Sequence, residues 1–227
     1  MNALLATASE FDGSLFDTIV PRAEYVALAN RGWDGRWDAS ALDRATEQAN
    51  AATADLEALL QAAQAQAASN VSGTTYEAVL DRLGGGFVGT VFDDADALCG
   101  EDVLACVSSV DPFVVHVDAA DDAVPFANDF LRTGNMYHEF AHVLQFTNPG
   151  PTETAAAAFG GDWETMADCF ALTYLDGWTL EQTIWTSSFE YWEVSLGYGY
   201  TCDEAQRQVM RDWYGALGYS PEPISQR

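Results

Sequence analysis

The stretch Met136-Tyr137-His138-Glu139-Phe140-Ala141-His142-Val143 contains the pattern His-Glu-x-x-His. Residues four apart lie on one face of a helix, so His138 and His142 can both reach one metal ion. Glu139 projects beside them toward the open position of that ion, where a general base is needed. The pattern therefore predicts a helix, a metal ion held by the two histidines, and Glu139 as the base.

Histidine is rare in this chain, which argues against an accidental match. The sequence has three histidines among 227 residues, and the chance that two of them flank a glutamate at this spacing is roughly a few in a thousand. The competing interpretation is a surface helix that carries two histidines with a solvated glutamate between them. Apolar residues at helical spacing on the opposite side, and the helix-breaking segment 147–151, favour the helix itself.

Two histidines leave one metal ligand to identify, because a catalytic zinc usually has three protein ligands and a water. The remaining histidine, His116, lies in a predicted strand, where a structural role is more common than a ligand or acid role. The helix predicted from Trp163 onward carries Glu164 and Asp168 four residues apart on one face. We predict Glu164 as the third ligand and Asp168 as the acceptor of a ring N–H from one histidine. For Glu164 the alternative is a favourable charge in the first turn of a helix.

The two motifs together resemble those of a known family. The segments His138-Glu139-Phe140-Ala141-His142 and Glu164-Thr165-Met166-Ala167-Asp168-Cys169-Phe170-Ala171 are similar to the HExxH and ExxADCxA elements of the bacterial neutral zinc metallopeptidases. That family belongs to the zincins that use a glutamate as the third ligand. The resemblance covers about residues 99–175, and the acidic N-terminal half has no counterpart in it.

The resemblance implies zinc on His138, His142 and Glu164, with Glu139 as base and Asp168 in support. It implies hydrolysis of peptide bonds, in which Glu139 takes a proton from water and returns it to the leaving amine. It also implies a zincin-like fold, α+β and mainly α, with the active-site helix under a small mixed sheet and a helical C-terminal part. The residues that follow His142, Val143-Leu144-Gln145, depart from the family's pattern. The substrate preference of the family therefore cannot be transferred to this chain.

The length of the chain favours one domain with a sizeable core. We predict a single metallopeptidase domain over 1–227. Within it we distinguish a mostly helical N-terminal part (1–98), a catalytic core (99–217) and a tail (218–227).

The clearest predicted helix spans 39–69, which is rich in alanine, leucine and glutamine and lacks glycine and proline. Helical spacing and capping residues predict further helices at 74–83, 152–158, 163–175, 179–193 and 203–217. Strands are predicted at 87–92 and 113–118. If 113–118 is an edge strand beside the cleft, its free backbone groups can pair with an extended peptide. The segment 33–37 predicts a turn that buries its tryptophans.

The charge of the chain bears on its partners. It has 9 basic residues, all arginine, against 35 acidic ones, for a net charge of −26. Such a chain repels phosphate backbones and anionic membranes, which excludes nucleic acid as a good partner. No apolar run reaches membrane-spanning length, so we expect no membrane insertion. The resemblance to the metallopeptidases implies a peptide or protein substrate. The acidity itself indicates a solubilising surface, or, as a sharper alternative, attraction of basic peptides or cations.

Four cysteines, Cys99, Cys106, Cys169 and Cys202, are present without any CxxC spacing, so they do not resemble a zinc knuckle. An even number is compatible with two disulfides, Cys99–Cys106 and Cys169–Cys202, in a protein outside the cytosol. Residues 1–20 lack the features of a signal peptide. We interpret the chain as the mature part of a secreted or cell-envelope protein with an added methionine; a cytosolic protein with free thiols is the alternative.

Three functions are compatible with these motifs. The first is a zinc-dependent peptidase, the second a non-catalytic binding or structural domain in which the metal links two helices, and the third a zinc hydrolase of non-peptide amides. Glu139 favours catalysis, because a structural site needs no base and closes its fourth position with protein. Tyr198 and Tyr200 are candidate donors to the oxyanion, although packing is the more common use of such residues.

Overall fold

A computed structural model describes residues 2–11, 19–100, 103–124, 126–197 and 202–218 of the chain. These residues are α+β and mainly helical, with two small sheets, which confirms the predicted coarse class. The chain divides into two compact units, 1–65 and 66–227. One metallopeptidase domain over the whole chain, and the zincin-like arrangement, stay predictions.

The described residues include α-helices whose bounds are α1 (Asn2–Ser9), α2 (Arg22–Asp34), α3 (Ala39–Ser69), α4 (Thr75–Gly84), α5 (Ala95–Cys99), α6 (Asp129–Thr147), α7 (Pro149–Ala156), α8 (Trp163–Tyr174) and α9 (Glu204–Ala216). The strands are β1 (Gly89–Asp93), β2 (Ala105–Ser108), β3 (Asp111–Asp118), β4 (Glu181–Trp185) and β5 (Tyr191–Ser195). Two short 3-10 turns lie at Asp121–Ala123 and Ala157–Phe159.

The long helix α3 has the bounds that the composition predicts. Its buried residues Ala45, Ala49, Leu56 and Ala63 recur at steps of four and seven, which keeps them on one face. At its start the carboxylate of Asp38 accepts hydrogen bonds from the backbone and hydroxyl of the second helical residue. Neither α3 nor another helix in the described ranges combines the length and the apolar character that a membrane span requires.

The prediction that a turn buries Trp33 and Trp37 is wrong. Trp33 belongs to the last turn of α2, and the two side chains are 68% and 87% exposed. The guanidinium of Arg36 lies 4.5 Å from the ring centroid of Trp33 and 5.4 Å from that of Trp37. A cation over the ring faces stabilises these aromatics at the surface without burying them.

The larger sheet has the strand order β1-β3-β2, with β1 parallel and β2 antiparallel to β3. The strand predicted at 113–118 is thus confirmed, but it is the central strand, and β2 is an edge. Val115 and Val117 of β3 are fully buried, and their register partners on β2 are Val107 and Ala105. Cross-strand partners point to the same side of a sheet, so these four apolar residues form one face, and α6 contacts both strands.

Helices α6 and α8 pack against each other and carry the centre of the core. Phe140 on α6 and Phe170 on α8 are buried, with ring centroids 6.4 Å apart. Burial of each such ring contributes about 1.5 to 3 kcal/mol relative to exposure. Helix α6 begins at Asp129, because the Asn128 side chain accepts hydrogen bonds from the backbone N–H groups of Phe130 and Leu131.

The helix predicted over 179–193 is wrong, since this segment is the hairpin β4–β5. The hydroxyl of Thr179 donates to the carbonyl of Glu181, so it does not cap a helix. Thr183, Ile184 and Trp185, with the aromatic residues that begin β5, are residues that favour strands. This propensity outweighs a short capping motif, because such a motif adds only about 1 kcal/mol to a helix.

Both predicted disulfides are present in the structure. Cys99–Cys106 joins α5 to β2, and Cys169–Cys202 joins α8 to the segment that leads into α9. Disulfides form and persist in oxidising environments. The bridges therefore fit a protein that works in an oxidising environment.

Gly134 permits a close contact between α6 and Trp178, one turn before His138. A Cβ atom at position 134 would lie 2.2 Å from the Trp178 ring, which is itself buried. This ring lines the cleft described below and stacks edge-on with Phe130 at 5.3 Å between centroids. The absence of a side chain at position 134 thus fixes where Trp178 lies.

We predict that Gly134→Ala lowers the free energy of unfolding by about 1 to 3 kcal/mol, because the tryptophan must move. Helix propensity alone would raise stability by about 1 kcal/mol. Gly215→Ala in α9 is the matched control, since a Cβ there meets nothing within 4 Å. Urea unfolding followed by circular dichroism measures the free energy of unfolding of both variants. If both substitutions raised the free energy of unfolding by the same amount, the close contact between position 134 and Trp178 would be contradicted.

Candidate metal centre

The two motifs are brought together by the packing of α6 on α8. His138 and His142 are one turn apart on α6, and Glu164 lies in the first turn of α8. Asp162 caps α8: its carboxylate accepts hydrogen bonds from the backbone N–H of Glu164 and of Thr165. This cap fixes the start of α8, and with it the place from which the Glu164 side chain extends.

His138, His142 and Glu164 form a cluster that can hold a metal ion. The Nε2 atoms of the two histidines are 3.0 Å apart, and Oε2 of Glu164 lies 3.2 Å and 3.1 Å from them. A tetrahedral ion with bonds of roughly 2 Å has neighbouring ligand atoms about 3.3 Å apart. The three atoms therefore already have nearly the spacing that such an ion requires.

Asp168 and Gln145 hold the far sides of the two imidazole rings. Nδ1 of His138 lies 2.9 Å from Oδ1 of Asp168, and Nδ1 of His142 lies 2.7 Å from Oε1 of Gln145. The orientation of the Gln145 amide is fixed, because its Nε2 donates to the carbonyl of Trp163 at 2.9 Å. Both Nδ1 atoms therefore face oxygen acceptors and carry hydrogen.

These hydrogen bonds determine that the two rings turn their Nε2 atoms toward the centre of the cluster. A neutral imidazole with hydrogen on Nδ1 has a lone pair on Nε2. Two such lone pairs and a carboxylate oxygen converge within 3.2 Å of one another. Three electron-rich atoms at this distance repel one another unless a positive charge lies among them. The donor set thus fits a cation. Asp168 and Gln145, which bind the Nδ1 atoms, are the kind of hydrogen-bond partner that metal-binding histidines usually have.

When no metal ion is bound, a proton supplies the positive charge among these atoms, and the pKa values of His138 and Glu164 are shifted accordingly. Burial by itself lowers the pKa of His138, but hydrogen bonds with Asp168 and Glu164 outweigh it and raise the value to about 10. Burial by itself raises the pKa of Glu164, but hydrogen bonds with both histidines hold it far below the usual range. Both shifts describe a site that favours positive charge on His138 and negative charge on Glu164.

Glu139 lies beside the cluster and is almost entirely buried. Among the described residues, its Oε2 atom has no hydrogen-bond partner. Burial raises the pKa of this carboxyl to about 7, although the charges of His138 and His142 oppose the shift. A buried carboxyl whose pKa lies near neutrality can both take up and release a proton.

The cluster opens into a cleft of about 610 Å³. The edge strand β2 forms one wall, and Trp178 and Phe146 contribute apolar surface. His138, Glu139, His142, Glu164 and Asp168 all line this cleft. Clefts of this size bind small ligands or a few residues of an extended chain.

The structure separates His116 from the cluster. His116 lies on β3 with Nδ1 2.8 Å from Oδ2 of Asp93, so it is not among the three grouped ligands. Tyr198 and Tyr200 lie outside the described residues. Gln145 was not among the predicted site residues. The sequence feature that could have indicated it is its position three residues after His142, on the same face of the helix.

Comparisons with known proteins add no relative. No family model matches the chain. Searches of curated proteins and of solved structures likewise return no match. The resemblance to the neutral zinc metallopeptidases therefore stays a prediction that rests on the two motifs.

We predict that Gln145→Met weakens metal binding about 10- to 100-fold, because the Nδ1–H of His142 loses its acceptor. Gln145→Glu is the matched variant: it keeps an oxygen for His142 but removes the donor to Trp163, so it should bind metal better than Gln145→Met. Competition with a chromophoric chelator measures both affinities. An unchanged affinity in Gln145→Met would contradict the role of this residue.

Proposed function

We propose that this chain is a zinc-dependent peptidase in which Glu139 is the general base for the attack of water on a peptide bond. The observation that carries the proposal is the buried carboxylate of Glu139, which faces the cleft beside the three ligand atoms. Its Oε2 atom has no hydrogen-bond partner among the residues described. A purely structural metal site has no use for such a group.

The donor set supports zinc as the metal. Two imidazoles and one carboxylate are three protein ligands, which leaves a position open for water, as in catalytic zinc sites. Zinc held by these ligands would supply Lewis-acid chemistry, namely a lowered pKa for water and polarisation of the substrate carbonyl.

The residues of the chain then have distinct tasks. Glu139 accepts a proton from the attacking water and returns it to the nitrogen of the leaving amine. Asp168 and Gln145 hold the two rings in the tautomer that presents Nε2. The walls of the cleft exclude bulk water from the carboxylate of Glu139, which strengthens its interactions with charge that develops nearby.

The edge strand β2 supports a peptide over other amides. It lies at one side of the three-stranded sheet and lines the cleft. A free strand edge offers backbone N–H and C=O groups that pair with an extended chain. A small amide would make no use of this row of groups. The two disulfides are consistent with a secreted or cell-envelope peptidase.

Glu139→Gln is expected to keep the metal and lower kcat for peptide cleavage by at least about 100-fold, because an amide cannot take the proton. A peptide library read by mass spectrometry gives the cleavage sites, and elemental analysis gives the metal content. Glu153→Gln, an exposed residue on α7 with the same loss of one charge, is the control and should leave kcat unchanged.

Retained turnover in Glu139→Gln, with the metal still bound, would exclude this residue as the base. Absence of cleavage by the metal-loaded wild type over the whole library would contradict the peptidase assignment itself.

A further inference from the structure

The hairpin β4–β5 has one face that is exposed along its whole length. Strand residues alternate between the two faces, and cross-strand partners share a face. The pairs Glu181–Ser195, Thr183–Glu193 and Trp185–Tyr191 therefore lie on one side, and all six residues are exposed. We name this set the outward face.

The outward face has two distinct parts. At the far end, the rings of Trp185 and Tyr191 lie 5.0 Å apart and are 63% and 51% exposed. Closer to the base are two carboxylates, Glu193 and Glu181, the second of which accepts a hydrogen bond from Ser195. The opposite face differs, because its Trp192 packs on Phe126 at 5.2 Å between ring centroids. The aromatic pair of the outward face thus lies at the surface beside negative charge.

No basic residue lies close to this face along the sequence. Between Arg132 and Arg207 the chain contains neither arginine nor lysine. The described residues that line the cleft also include no arginine or lysine, whereas they include three carboxylates. Apart from the histidines of the metal centre, the charged side chains of the cleft and the hairpin among the described residues are therefore all carboxylates.

The outward face is continuous with the metal centre. Ser195, at its base, lines the cleft together with the next two residues. A strand rises about 3.4 Å per residue, so Glu193 lies about 7 Å and Tyr191 about 14 Å from Ser195 along β5. An extended peptide that leaves the cleft at Ser195 would pass first the carboxylate and then the aromatic pair.

We propose that the outward face of β4–β5 is a docking surface for a segment of the substrate that carries lysine or arginine side chains. This inference rests on the proposed peptidase function, since the docked chain is the substrate. Exposed carboxylates attract a cationic side chain, and the faces of tryptophan and tyrosine bind one through their π electrons. The same contact already occurs elsewhere in this chain, where Arg36 lies over Trp33.

The distance between the carboxylate of Glu193 and the aromatic pair Trp185–Tyr191 determines where basic residues must lie in the sequence of the docked substrate. Because the peptide and β5 rise by the same distance per residue, a basic residue two positions beyond the one at Ser195 meets Glu193. A basic residue four positions beyond it meets Trp185 and Tyr191. Basic residues at alternate positions on one side of the cleaved bond are therefore preferred over neutral ones.

The test measures binding separately from cleavage. The full-length protein with Glu139→Gln, loaded with zinc, is titrated with fluorescein-labelled twelve-residue peptides at low ionic strength. One peptide set carries lysine at alternate positions, and the matched set carries glutamine there. We expect tighter binding of the lysine peptides, lost progressively as salt is added.

Variants of the hairpin identify the surface. Glu193→Gln and Trp185→Leu are each expected to raise the Kd for lysine peptides about two- to five-fold and to leave the Kd for glutamine peptides unchanged. Glu153→Gln is the control for loss of one charge, and Phe189→Leu, in the exposed turn between the strands, is the control for loss of an aromatic ring. Both controls should bind like the parent.

The docking surface would be overturned if the two peptide sets bound equally tightly, or if neither set bound. It would also be overturned if the lysine peptides bound the hairpin variants as tightly as they bind the controls. Binding of phosphatidylcholine vesicles that Trp185→Leu abolishes, without any preference for lysine peptides, would assign the face to a membrane and also overturn it. The proposed function fails separately, if the wild type cleaves none of the peptides that it binds.

Discussion

The two hydrogen bonds at the outer ring nitrogens, Asp168 to His138 and Gln145 to His142, are the constraint on which the site depends. They place hydrogen on Nδ1, so that both Nε2 lone pairs point inward at the carboxylate of Glu164. The first bond cannot form unless α6 and α8 pack closely, because Asp168 lies on α8. The second bond lies within α6, and α8 orients it, because the Gln145 amide donates to the carbonyl of Trp163 at the start of α8. The core between these helices therefore does more than stabilise the fold: it sets the tautomers of the metal-binding histidines.

Charge connects this centre to the rest of the second unit. The cluster concentrates negative charge and lone pairs, and Glu139 adds a buried carboxyl beside it. The cleft and the hairpin extend the negative charge outward, since neither contains an arginine or a lysine among the residues described. A surface of this kind binds metal cations at its centre and favours cationic chains along its approach. One electrostatic property thus underlies both the proposed chemistry and the proposed substrate class.

Local patterns predicted much of this structure. The spacing within α6 and α8 predicted both helices, and the disulfide pairs and the strand before α6 were predicted as well. The hairpin was missed, because a capping motif was given more weight than the strand propensity of the residues behind it. Two features could not be predicted, because they depend on contacts between distant parts of the chain. The amide of Gln145 is oriented by a carbonyl 18 residues away, and Trp178 is seated by a glycine in α6.

Whether His138, His142 and Glu164 hold zinc is best measured as the metal content of protein purified without chelator or metal-affinity resin. Elemental analysis would compare the wild type with Glu164→Ala and with Glu153→Ala, which removes an exposed carboxylate from α7. We expect about one zinc per chain in the wild type and in Glu153→Ala, and loss of the zinc in Glu164→Ala. A wild-type protein that holds no zinc, even after incubation with the added metal, would contradict this expectation.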